Sequence, residues 1–349
     1  MIVDFFEPPA EKRVGGLEAA IRSMESFLVE AGVAVRHNPS FDLLGKDGVP
    51  EVVDFHGLWE PGFLKVSAFC RRSNIPYIAS THGMLEPWAL RHKRWKKWPW
   101  FLLFEQRHLA GATRLLTTSG LESDHLRDLF PDSQRVVLPL GLTADKGPDY
   151  QAARRDLGWE QWETVLLFLS RLHPKKGLHL LLDALKRLDT RAKENVRLVI
   201  VGGGDRDYVL GLRTLASRQG LRRLRIDWVG EIWSDDKWKY LQGADLFCLP
   251  SFSENFGLAI LEALQVGTRV LTTTQTPWTD ALKSNAGFLC EPTETGVQAA
   301  LEEFFSSRSW SAQQRDGLAG QMRHRYAWES VGPAYIRLYE DVCGVAVAR

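Results

Sequence analysis

The sequence predicts an α/β protein of two domains, each built around a parallel sheet with helices on both faces. Short apolar runs alternate with amphipathic stretches of helical period through both halves of the chain, as repeated βα units do. The chain has 349 residues, which is enough for two separate cores. A polar stretch with Gly147 and Pro148 near the middle suits a linker. We therefore expect one domain over residues 1–145, a second over 146–325 and a helical end over 326–349.

Composition and charge argue against several classes of protein. The formal net charge is +1, which gives no overall attraction for nucleic acid. The four cysteines are widely scattered and form no C-x-x-C pair, so we expect neither a zinc site nor a disulfide framework. No run reaches the roughly 20 apolar residues of a membrane span. The first seven residues lack the basic-then-apolar pattern of a secretory signal, and a cytoplasmic location is expected.

The first half begins with a predicted strand over residues 1–7, a loop, and a helix that ends at Gly32. Gly15 and Gly16 stand at the start of this helix. Bare backbone N–H groups at a helix start suit an anion. From the sequence pattern alone, an ordinary βα turn is the favoured explanation of the glycine pair.

Two further predicted strands, Val52–His56 and Tyr77–Ser80, are each associated with a histidine. His56 ends the first strand, and His82 follows the second. In an open α/β sheet, ligands bind at the carboxyl ends of the strands. His82 is therefore a candidate for a functional site, with a structural histidine as an equally good explanation, and His56 is a weaker candidate of the same kind. A strand over Arg114–Thr118 follows.

The segment Arg91–Phe104 combines basic and aromatic residues. Five lysines and arginines fall within its first seven positions. This pattern suits an anionic, amphipathic surface such as a membrane face. A solvated charged face that runs into a buried helix explains the segment equally well. An RNA-binding role is disfavoured, because no recognisable nucleic-acid module surrounds the segment.

The second half opens with the predicted strand Val165–Leu169, a turn over Ser170–Gly177 and an amphipathic helix. Arg171 and Lys176 lie in this turn, at the carboxyl end of a strand and ahead of a helix start. An arginine fork and a lysine point charge in this position would neutralise a diphosphate. Two exposed turn cations are the alternative.

Two later strands end in glycines. Val196–Val201 precedes a run of three glycines that includes Gly203, and Arg225–Val229 precedes Gly230. The run is followed by Asp-Arg-Asp, which has the form of a D-x-D metal clamp. We interpret Asp205 instead as the cap of the next helix.

The stretch Pro250–Gly267 is a polar loop and an apolar helix, placed after a buried strand over Asp245–Leu249. Glu254 lies in the loop and Glu262 in the helix. Glu262 is the only charged residue of that helix, so it requires a partner if it is buried. The helix start lies between the two acids and would attract phosphate. An exposed loop acid and a structural ion pair explain either glutamate alone; together they favour a site.

Residues Glu254–Glu262, which read Glu-Asn-Phe-Gly-Leu-Ala-Ile-Leu-Glu, resemble the E-x7-E motif of the retaining GT-B glycosyltransferases of family four. These are the glycosyl transferases group 1, similar to glycogen synthase. The turn Ser170–Gly177 is similar to the family's G-R-L-x-x-x-K-G, with Ser170 in place of the first glycine. Leu142-Thr143 stands where many relatives have an aspartate. The resemblance covers nearly the whole chain and is closest to bacterial polysaccharide-biosynthesis types.

The resemblance implies two doubly wound Rossmann-like domains that face each other across a cleft. The first would bind the acceptor and the second the nucleotide sugar, and the final helix would cross back to the first. It implies metal-independent hexose transfer, with retention and no cofactor, from a UDP- or GDP-sugar to a hydroxyl of a glycan or lipid-linked glycan. Relatives often carry a basic, aromatic face at Arg91–Phe104, which implies a peripheral location at the inner face of a membrane.

The resemblance also implies which residues form the site. The implied catalytic residues are His82, Arg171, Lys176 and Glu254. The implied donor-binding residues are Gly15, Gly16, Gly203, Gly230, Glu231, Ile232, Asn255, Phe256, Gly257, Leu258 and Glu262. No metal ligand is expected.

Three alternatives to a transferase fit the same pattern. A GT-B-shaped sugar-nucleotide epimerase would act without an acceptor. A glycoside phosphorylase would use inorganic phosphate instead of a nucleotide sugar. A non-catalytic sugar-nucleotide-binding protein would bind the donor and release nothing, and the complete set of phosphate-binding residues argues mildly against it.

Overall fold

The computed structural model describes residues 1–9, 15–39, 48–91, 94–142, 149–189, 194–218, 220–221, 224–232, 234–283, 286–307 and 309–347. The chain divides into two compact units. Unit 1 comprises residues 1–143 and 325–349, and unit 2 comprises residues 144–324.

Unit 1 is an α/β layer structure around a six-stranded sheet. Its strands are β1 Ile2–Phe6, β2 Ala34–His37, β3 Val52–His56, β4 Tyr77–Ser80, β5 Arg114–Thr117 and β6 Arg135–Val137. Its first helices are α1 Gly15–Glu30, α2 Pro61–Arg72, α3 Pro87–Arg91, α4 Arg94–Trp100, α5 Gln106–Ala110 and α6 Gly120–Leu129. A π-helical turn over Phe101–Glu105 joins α4 to α5. It begins two residues after Pro99, a residue that distorts the end of α4.

The sheet of unit 1 has the strand order β2-β1-β3-β4-β5-β6, and each of these pairings is parallel. Helices cover both faces of a parallel sheet, so its central strands are buried on both sides. Accordingly, every residue of β3 is buried, including the polar Asp54 and His56. The chain order reverses between β1 and β3, which makes the carboxyl ends of these strands a topological switch point.

Unit 2 contains the remaining six strands. These are β7 Thr164–Leu169, β8 Val196–Val201, β9 Arg225–Gly230, β10 Leu246–Leu249, β11 Arg269–Thr273 and β12 Gly287–Cys290. Its helices are α7 Tyr150–Asp156, α8 Leu178–Arg187, α9 Arg206–Ala216, α10 Lys237–Gly243, α11 Leu258–Gln265, α12 Thr279–Leu282 and α13 Glu294–Ser306, with a short 3₁₀ turn over Pro174–Lys176 before α8. The strand order β12-β11-β10-β7-β8-β9, again parallel, is that of a Rossmann sheet, with its switch point between β7 and β10.

Two helices end the chain, α14 Ala312–Tyr326 and α15 Trp328–Val347. Aromatic residues of α15 belong to the core of unit 1. The Tyr339 hydroxyl donates to Asp54 Oδ2 on β3 at 2.6 Å, and the Trp328 ring stacks on Phe27 of α1. Gly332 of α15 lies against the ring of Phe27, where a Cβ would come within 2.1 Å of a ring carbon. The helix is therefore fitted closely to the first sheet.

Candidate active site

In unit 2, the turn after β7 and the loop after β10 lie on the two sides of the switch point. The backbone N–H of Phe252 in the loop donates to the Lys175 carbonyl in the turn at 2.8 Å. Gly177 has a positive φ of 73°, and a Cβ there would lie 2.0 Å from the Pro250 carbonyl oxygen. Only glycine fits this position without moving the backbone, so the turn is held directly against the loop.

Lys176 and Glu254 form an ion pair across this contact. Lys176 Nζ lies 2.7 Å from Glu254 Oε1 and 2.9 Å from Oε2, and the Ser251 hydroxyl donates to Oε1 at 2.6 Å. Burial alone would raise the pKa of Glu254, but the ammonium groups of Lys176 and Lys175 outweigh it and hold the pKa below its usual value. Glu254 is therefore an ionised, hydrogen-bonded carboxylate in a buried position.

The loop ends at the start of α11. Gly257 is the residue before the helix, has a φ of 81° and supplies no side-chain cap. The Phe256 carbonyl accepts a hydrogen bond from the Trp278 indole, and the two rings pack edge to face. The first turn of α11 therefore presents backbone N–H groups without a side-chain cap, next to a rigidly packed aromatic pair.

Glu262 lies one turn further into α11 and is buried. The partner that its position requires is Lys237, at the start of α10, whose Nζ lies 2.7 Å from Glu262 Oε1. Burial raises the pKa of Glu262 although the lysine opposes the shift. Lys237 thus only partly offsets the cost of burying the Glu262 carboxylate. Hydrogen bonds donated by ribose hydroxyls would also stabilise this carboxylate.

The glycines after β8 and β9 surround a cavity of about 350 Å³. Its wall includes Gly203, Gly230 and Glu231 of the predicted set, together with residues of α9 and Trp228. The Glu231 side chain covers Gly203 so closely that a Cβ there would lie 2.1 Å from Oε1. The guanidinium of Arg213 lies 4.8 Å from the Trp228 ring centroid. The cavity is partly apolar, with backbone groups and one carboxylate at its rim.

Arg171 and Ile232 lie in the segments that follow β7 and β9. Arg171 is exposed at the carboxyl end of β7, beside Leu172, which bridges to Gly204. Ile232 is half-buried after β9, and Asn255 is half-buried in the loop before α11. Asp205 caps α9 by accepting from the backbone N–H groups of Asp207 and Tyr208, so the capping prediction is confirmed. In the part of the chain that the structure describes, no cluster of three or more His, Cys, Asp or Glu side chains could hold a metal ion.

In unit 1, His82 follows β4 and has a φ of 47°, which is unusual for a residue with a side chain. Glu122 of α6 holds the turn on both sides of it, because its carboxylate accepts from the Thr81 hydroxyl at 2.7 Å and from the Gly83 N–H at 2.8 Å. His82 Nε2 lies 3.2 Å from His56 Nδ1. Gly15 and Gly16 form the start of α1, whose Ile21 and Met24 line a small space together with the two histidines.

The structure thus brings together some predicted residues and leaves others apart. Lys176 contacts Glu254 directly, Gly203 and Gly230 share one cavity wall with Glu231, and Phe256–Leu258 form one helix start. Sequence analysis missed Ser251, Lys237, Glu122, Asp54 and Tyr339. Ser251 is three positions before Glu254 and could have been found from a Ser-x-x-Glu pattern in a loop. Asp54 is two positions before His56 and could have been found as an acid in an otherwise apolar predicted strand. Lys237, Glu122 and Tyr339 come from distant parts of the chain, and no local signal marks them.

Comparison with known proteins agrees with this architecture. Residues 149–318 match the family model of glycosyl transferases group 1, and residues 7–141 match the glycosyl transferase 4-like domain. The chain belongs to the group 1 glycosyltransferases. Its two parallel six-stranded sheets with flanking helices are those of the GT-B fold, so the predicted family and fold class are confirmed.

Two relatives are similar in sequence to this glycosyltransferase. It is 26% identical to a D-inositol 3-phosphate glycosyltransferase of Frankia alni, over 90% of this chain and 86% of that protein. It is 29% identical to a phosphatidyl-myo-inositol mannosyltransferase of Mycobacterium tuberculosis, over 61% of this chain and only 55% of that protein.

Two solved structures share the fold at low identity. A sucrose-phosphate synthase from Thermosynechococcus elongatus superposes with a TM-score of 0.82 at 17% identity, covering 99% of this chain and all of that one. The catalytic domain of starch synthase IV from Arabidopsis thaliana, bound to ADP and acarbose, has a TM-score of 0.72 at 13% identity, with coverage of 98% and 99%. Within the described residues, no helix of this glycosyltransferase is both long and apolar enough to cross a membrane.

Proposed function

We propose that this glycosyltransferase transfers a hexose, with retention and without a metal, from a nucleotide diphosphate sugar to a hydroxyl of a glycan or lipid-linked glycan. The observation that carries the proposal is the cationic switch point of unit 2. Arg171, Lys176 and the uncapped start of α11 lie on the loops that flank it. Cations and a helix start are the groups that stabilise a departing diphosphate.

In the proposed reaction the bond between the anomeric carbon and the diphosphate oxygen breaks, and a bond from the acceptor oxygen to that carbon forms on the same face. The acceptor hydroxyl gives its proton to an oxygen of the leaving diphosphate. Arg171 and Lys176 balance the charge that develops there, and a positively charged protein site can do this without a metal ion. Glu254 accepts hydrogen bonds from hydroxyls of the donor sugar.

The remaining predicted residues take supporting roles in this proposal. Glu262 binds the ribose hydroxyls. Because burial raises the pKa of its carboxyl, a hydrogen bond donated by a ribose hydroxyl, or a proton shared with one, is favourable. The cavity beside Gly203, Gly230 and Glu231 has the size and the partly apolar wall that a nucleobase needs. In unit 1, His82, Gly15 and Gly16 contact the sugar and its acceptor. Because the relatives named above act on inositol phosphate or an inositol lipid, a polyol or lipid-linked polyol is a supported acceptor class.

The test begins with the donor. We expect one of UDP, GDP or ADP to raise the unfolding midpoint selectively, equally with EDTA and with Mn²⁺. Arg171→Ala should then lower turnover of the matching sugar nucleotide by roughly 100-fold, whereas Arg155→Ala, which removes an exposed arginine from α7, should leave it unchanged. Near-normal turnover in Arg171→Ala would sink the phosphate assignment, and activity only with Mn²⁺ would sink metal independence.

The alternatives predict other products in the same assay. An epimerase would interconvert sugar nucleotides with no acceptor present. A phosphorylase would ignore nucleotides and consume inorganic phosphate with a glycan. A binding protein would show the shift in unfolding midpoint and no release of nucleotide diphosphate. Inversion at the anomeric carbon, read by NMR of the first product, would contradict retention.

We also propose that the segment Arg91–Phe104 contacts an anionic membrane surface and gives the enzyme a peripheral location at the inner face of the membrane. Trp95 and Leu103 are 74% and 70% exposed, and Leu102 and Phe104 are exposed beside them. Arg91, Arg94 and Lys96 are exposed on the same segment, and Lys96 lies 4.7 Å from the Trp95 ring centroid. Basic groups interleaved with exposed apolar ones are the chemistry that binds an anionic bilayer.

A further inference from the structure

The histidine at the end of β4 is one end of a chain of buried polar groups. His82 Nε2 faces His56 Nδ1 at 3.2 Å, and the His56 ring is almost fully buried. Burial lowers the pKa of His56 to about 4 and that of His82 to about 3, so both rings are neutral at physiological pH. In a hydrogen bond between two neutral imidazoles, one nitrogen donates and the other accepts. The tautomer of one ring therefore fixes the tautomer of the other.

The second nitrogen of His56 faces an acid. His56 Nε2 is buried and has no hydrogen-bond partner among the described residues, and Asp54 Oδ2 lies 3.7 Å away. Asp54 precedes His56 by two positions on β3, so the two side chains leave the same face of the strand. A shift of roughly 0.5–1 Å would bring the two atoms to hydrogen-bonding distance. Asp54 Oδ2 already accepts from the Tyr339 hydroxyl of α15 at 2.6 Å, and Oδ1 is buried with no hydrogen-bond partner in the part of the chain that the structure describes.

We propose that Tyr339, Asp54 and His56 are positioning residues that set which ring nitrogen of His82 carries the proton. The proposal rests on the proposed function, in which His82 contacts the donor sugar. When Asp54 is ionised, it accepts from His56 Nε2–H, and His56 Nδ1 then accepts from His82 Nε2–H. His82 Nδ1 is left as a hydrogen-bond acceptor. When Asp54 is protonated, it donates to His56 Nε2, His56 Nδ1–H donates to His82 Nε2, and His82 Nδ1 becomes a donor; the Tyr339 hydroxyl still donates to Asp54.

The reversal moves no net charge along the two rings, because each histidine gains a proton on one nitrogen and loses it from the other. The only group that changes charge is Asp54, which takes up or releases one proton. A single buried carboxyl thus decides whether His82 offers a donor or an acceptor to a sugar hydroxyl. One interaction stabilises each end of this chain of polar groups. Glu122 fixes the turn around His82, and the tightly packed α15 fixes Tyr339.

The switch falls in the neutral range of pH. Burial raises the pKa of Asp54 to about 7, although the hydrogen bond from Tyr339 opposes the shift. The other ionisable groups that face this chain come from the residue after β1 and from β2, α6 and α15. They are Glu7, His37, Glu122 and Tyr335. For His37, burial lowers the pKa, but hydrogen bonds to Glu7 and Glu25 outweigh burial and raise it.

The first experiment follows the ring nitrogens directly and needs no turnover. In the full chain labelled with ¹⁵N-histidine, we expect the Nδ1 and Nε2 shifts of His82 to exchange character with an apparent pKa near 7. Asp54→Asn should hold His82 in one tautomer from pH 6 to 8. Tyr339→Phe should keep the exchange but move it to higher pH, because the lost hydrogen bond no longer stabilises the carboxylate. His37→Gln serves as the control that should leave the exchange in place.

The second experiment links the chain to activity. We expect kcat/KM of the wild type to change with an apparent pKa near 7, and this inflection to vanish in Asp54→Asn and to shift upward in Tyr339→Phe. At one extreme of pH, Asp54→Asn should lose roughly tenfold in kcat/KM, while its stabilisation by the nucleotide diphosphate stays as in the wild type. A merely structural role would lower activity evenly across the pH range.

The outcomes separate this proposal from the proposed function. Unchanged nitrogen shifts and an unchanged pH profile in Asp54→Asn would overturn the relay while leaving glycosyl transfer intact. A wild type that neither binds nor turns over any sugar nucleotide, yet shows the exchange of His82 tautomers, would overturn the proposed function and keep the relay. Should Asp54→Asn fail to fold, Tyr339→Phe decides the matter, since it removes a single hydroxyl.

Discussion

At the scale of single residues, the Lys176–Glu254 pair shows how the candidate site keeps an ionised carboxylate in a buried position. The carboxylate is nearly inaccessible and the lysine side chain is 20% exposed. Such a pair gives little net stability, but removal of one partner is costly because the other charge stays behind. Lys176 therefore has two tasks in the proposed enzyme, to keep Glu254 ionised and to face the diphosphate.

Lys176→Met should lower the free energy of unfolding by about 3 kcal/mol at pH 7.5, because it leaves Glu254 buried without its partner. The double variant Lys176→Met/Glu254→Leu should recover most of that loss. Because the folded pKa of Glu254 is depressed, the stability from its pairing is present above the ordinary glutamate pKa and is lost as the pH falls below it. The difference between wild type and Lys176→Met should accordingly shrink toward pH 4.

Urea denaturation at several pH values measures both effects. Lys239→Met is the matched control, since Lys239 belongs to a solvent-exposed pair with Asp236, and its free energy of unfolding should stay close to that of the wild type. If the double variant is no more stable than Lys176→Met, Glu254 is not the charge that the lysine compensates.

Partners such as these mark the limit of prediction from sequence at this scale. The apolar context of Glu262 was enough to predict that the glutamate needs a partner. Lys237 could not be named, because it is 25 positions away and reaches Glu262 only through the packing of α10 and α11. The Lys176–Glu254 contact spans 78 positions. Chemistry at a position can be inferred from neighbours in sequence, whereas its partner is decided by the fold.

At the scale of elements, the turn between β7 and α8 depends on close backbone contact with the loop after β10. Gly177→Ala should cost at least about 2 kcal/mol, since alanine is strained at positive φ and its Cβ would overlap the Pro250 carbonyl. The variant should also weaken nucleotide binding, because the turn that presents Lys176 must move. Thermal unfolding with and without the nucleotide diphosphate measures both.

Gly211→Ala provides the opposite case in the same unit. Gly211 lies inside α9, and its missing Cβ has open space around it. Alanine there should stabilise by about 0.5–1 kcal/mol, since it favours the helix without a clash. If Gly177→Ala and Gly211→Ala lose similar amounts of stability, the role assigned to the close approach at Gly177 is contradicted.

Helices and strands differ in how well the sequence predicts them. The central strands Val52–His56, Tyr77–Ser80 and Val196–Val201 were predicted to the residue, because strands buried on both faces are rich in apolar residues even where single polar residues interrupt them. The edge strand β2 was missed. Its residues are half-buried or exposed and include Arg36 and His37, so no apolar run marks it, and its pairing with β1 alone makes it a strand.

At the scale of the whole molecule, alternation of strands and helices predicted two α/β domains but not the order of strands within each sheet. That order decides which loops meet. Because β7 lies beside β10 and not beside β9, the turn with Lys176 reaches the loop with Glu254. The resemblance to a known family implied two doubly wound Rossmann-like domains but was not used to predict a strand order, which is a property of the fold and is not encoded in local pattern.

The proposed membrane binding depends on the whole molecule as well, because the net charge is +1 and long-range attraction to an anionic bilayer is weak. Binding must then come from the segment Arg91–Phe104 itself. We expect the full chain to sediment with vesicles that contain phosphatidylglycerol, and not with phosphatidylcholine alone. Arg94→Gln/Lys96→Gln should weaken this binding by roughly 25-fold, at about 1 kcal/mol per charge, and 0.5 M salt should act in the same direction.

Two further variants separate charge from apolar contact. Arg155→Gln/Lys239→Gln removes the same charge from unit 2, at an exposed arginine and a half-buried lysine, and should bind as the wild type does. Trp95→Ser/Leu103→Ser keeps every charge and removes the two most exposed apolar side chains of the segment. If it binds as tightly as wild type, the contact is purely electrostatic and the segment lies on the bilayer surface without entering it. Equal losses in the Arg94/Lys96 and Arg155/Lys239 variants would show that overall charge, and not this segment, controls binding.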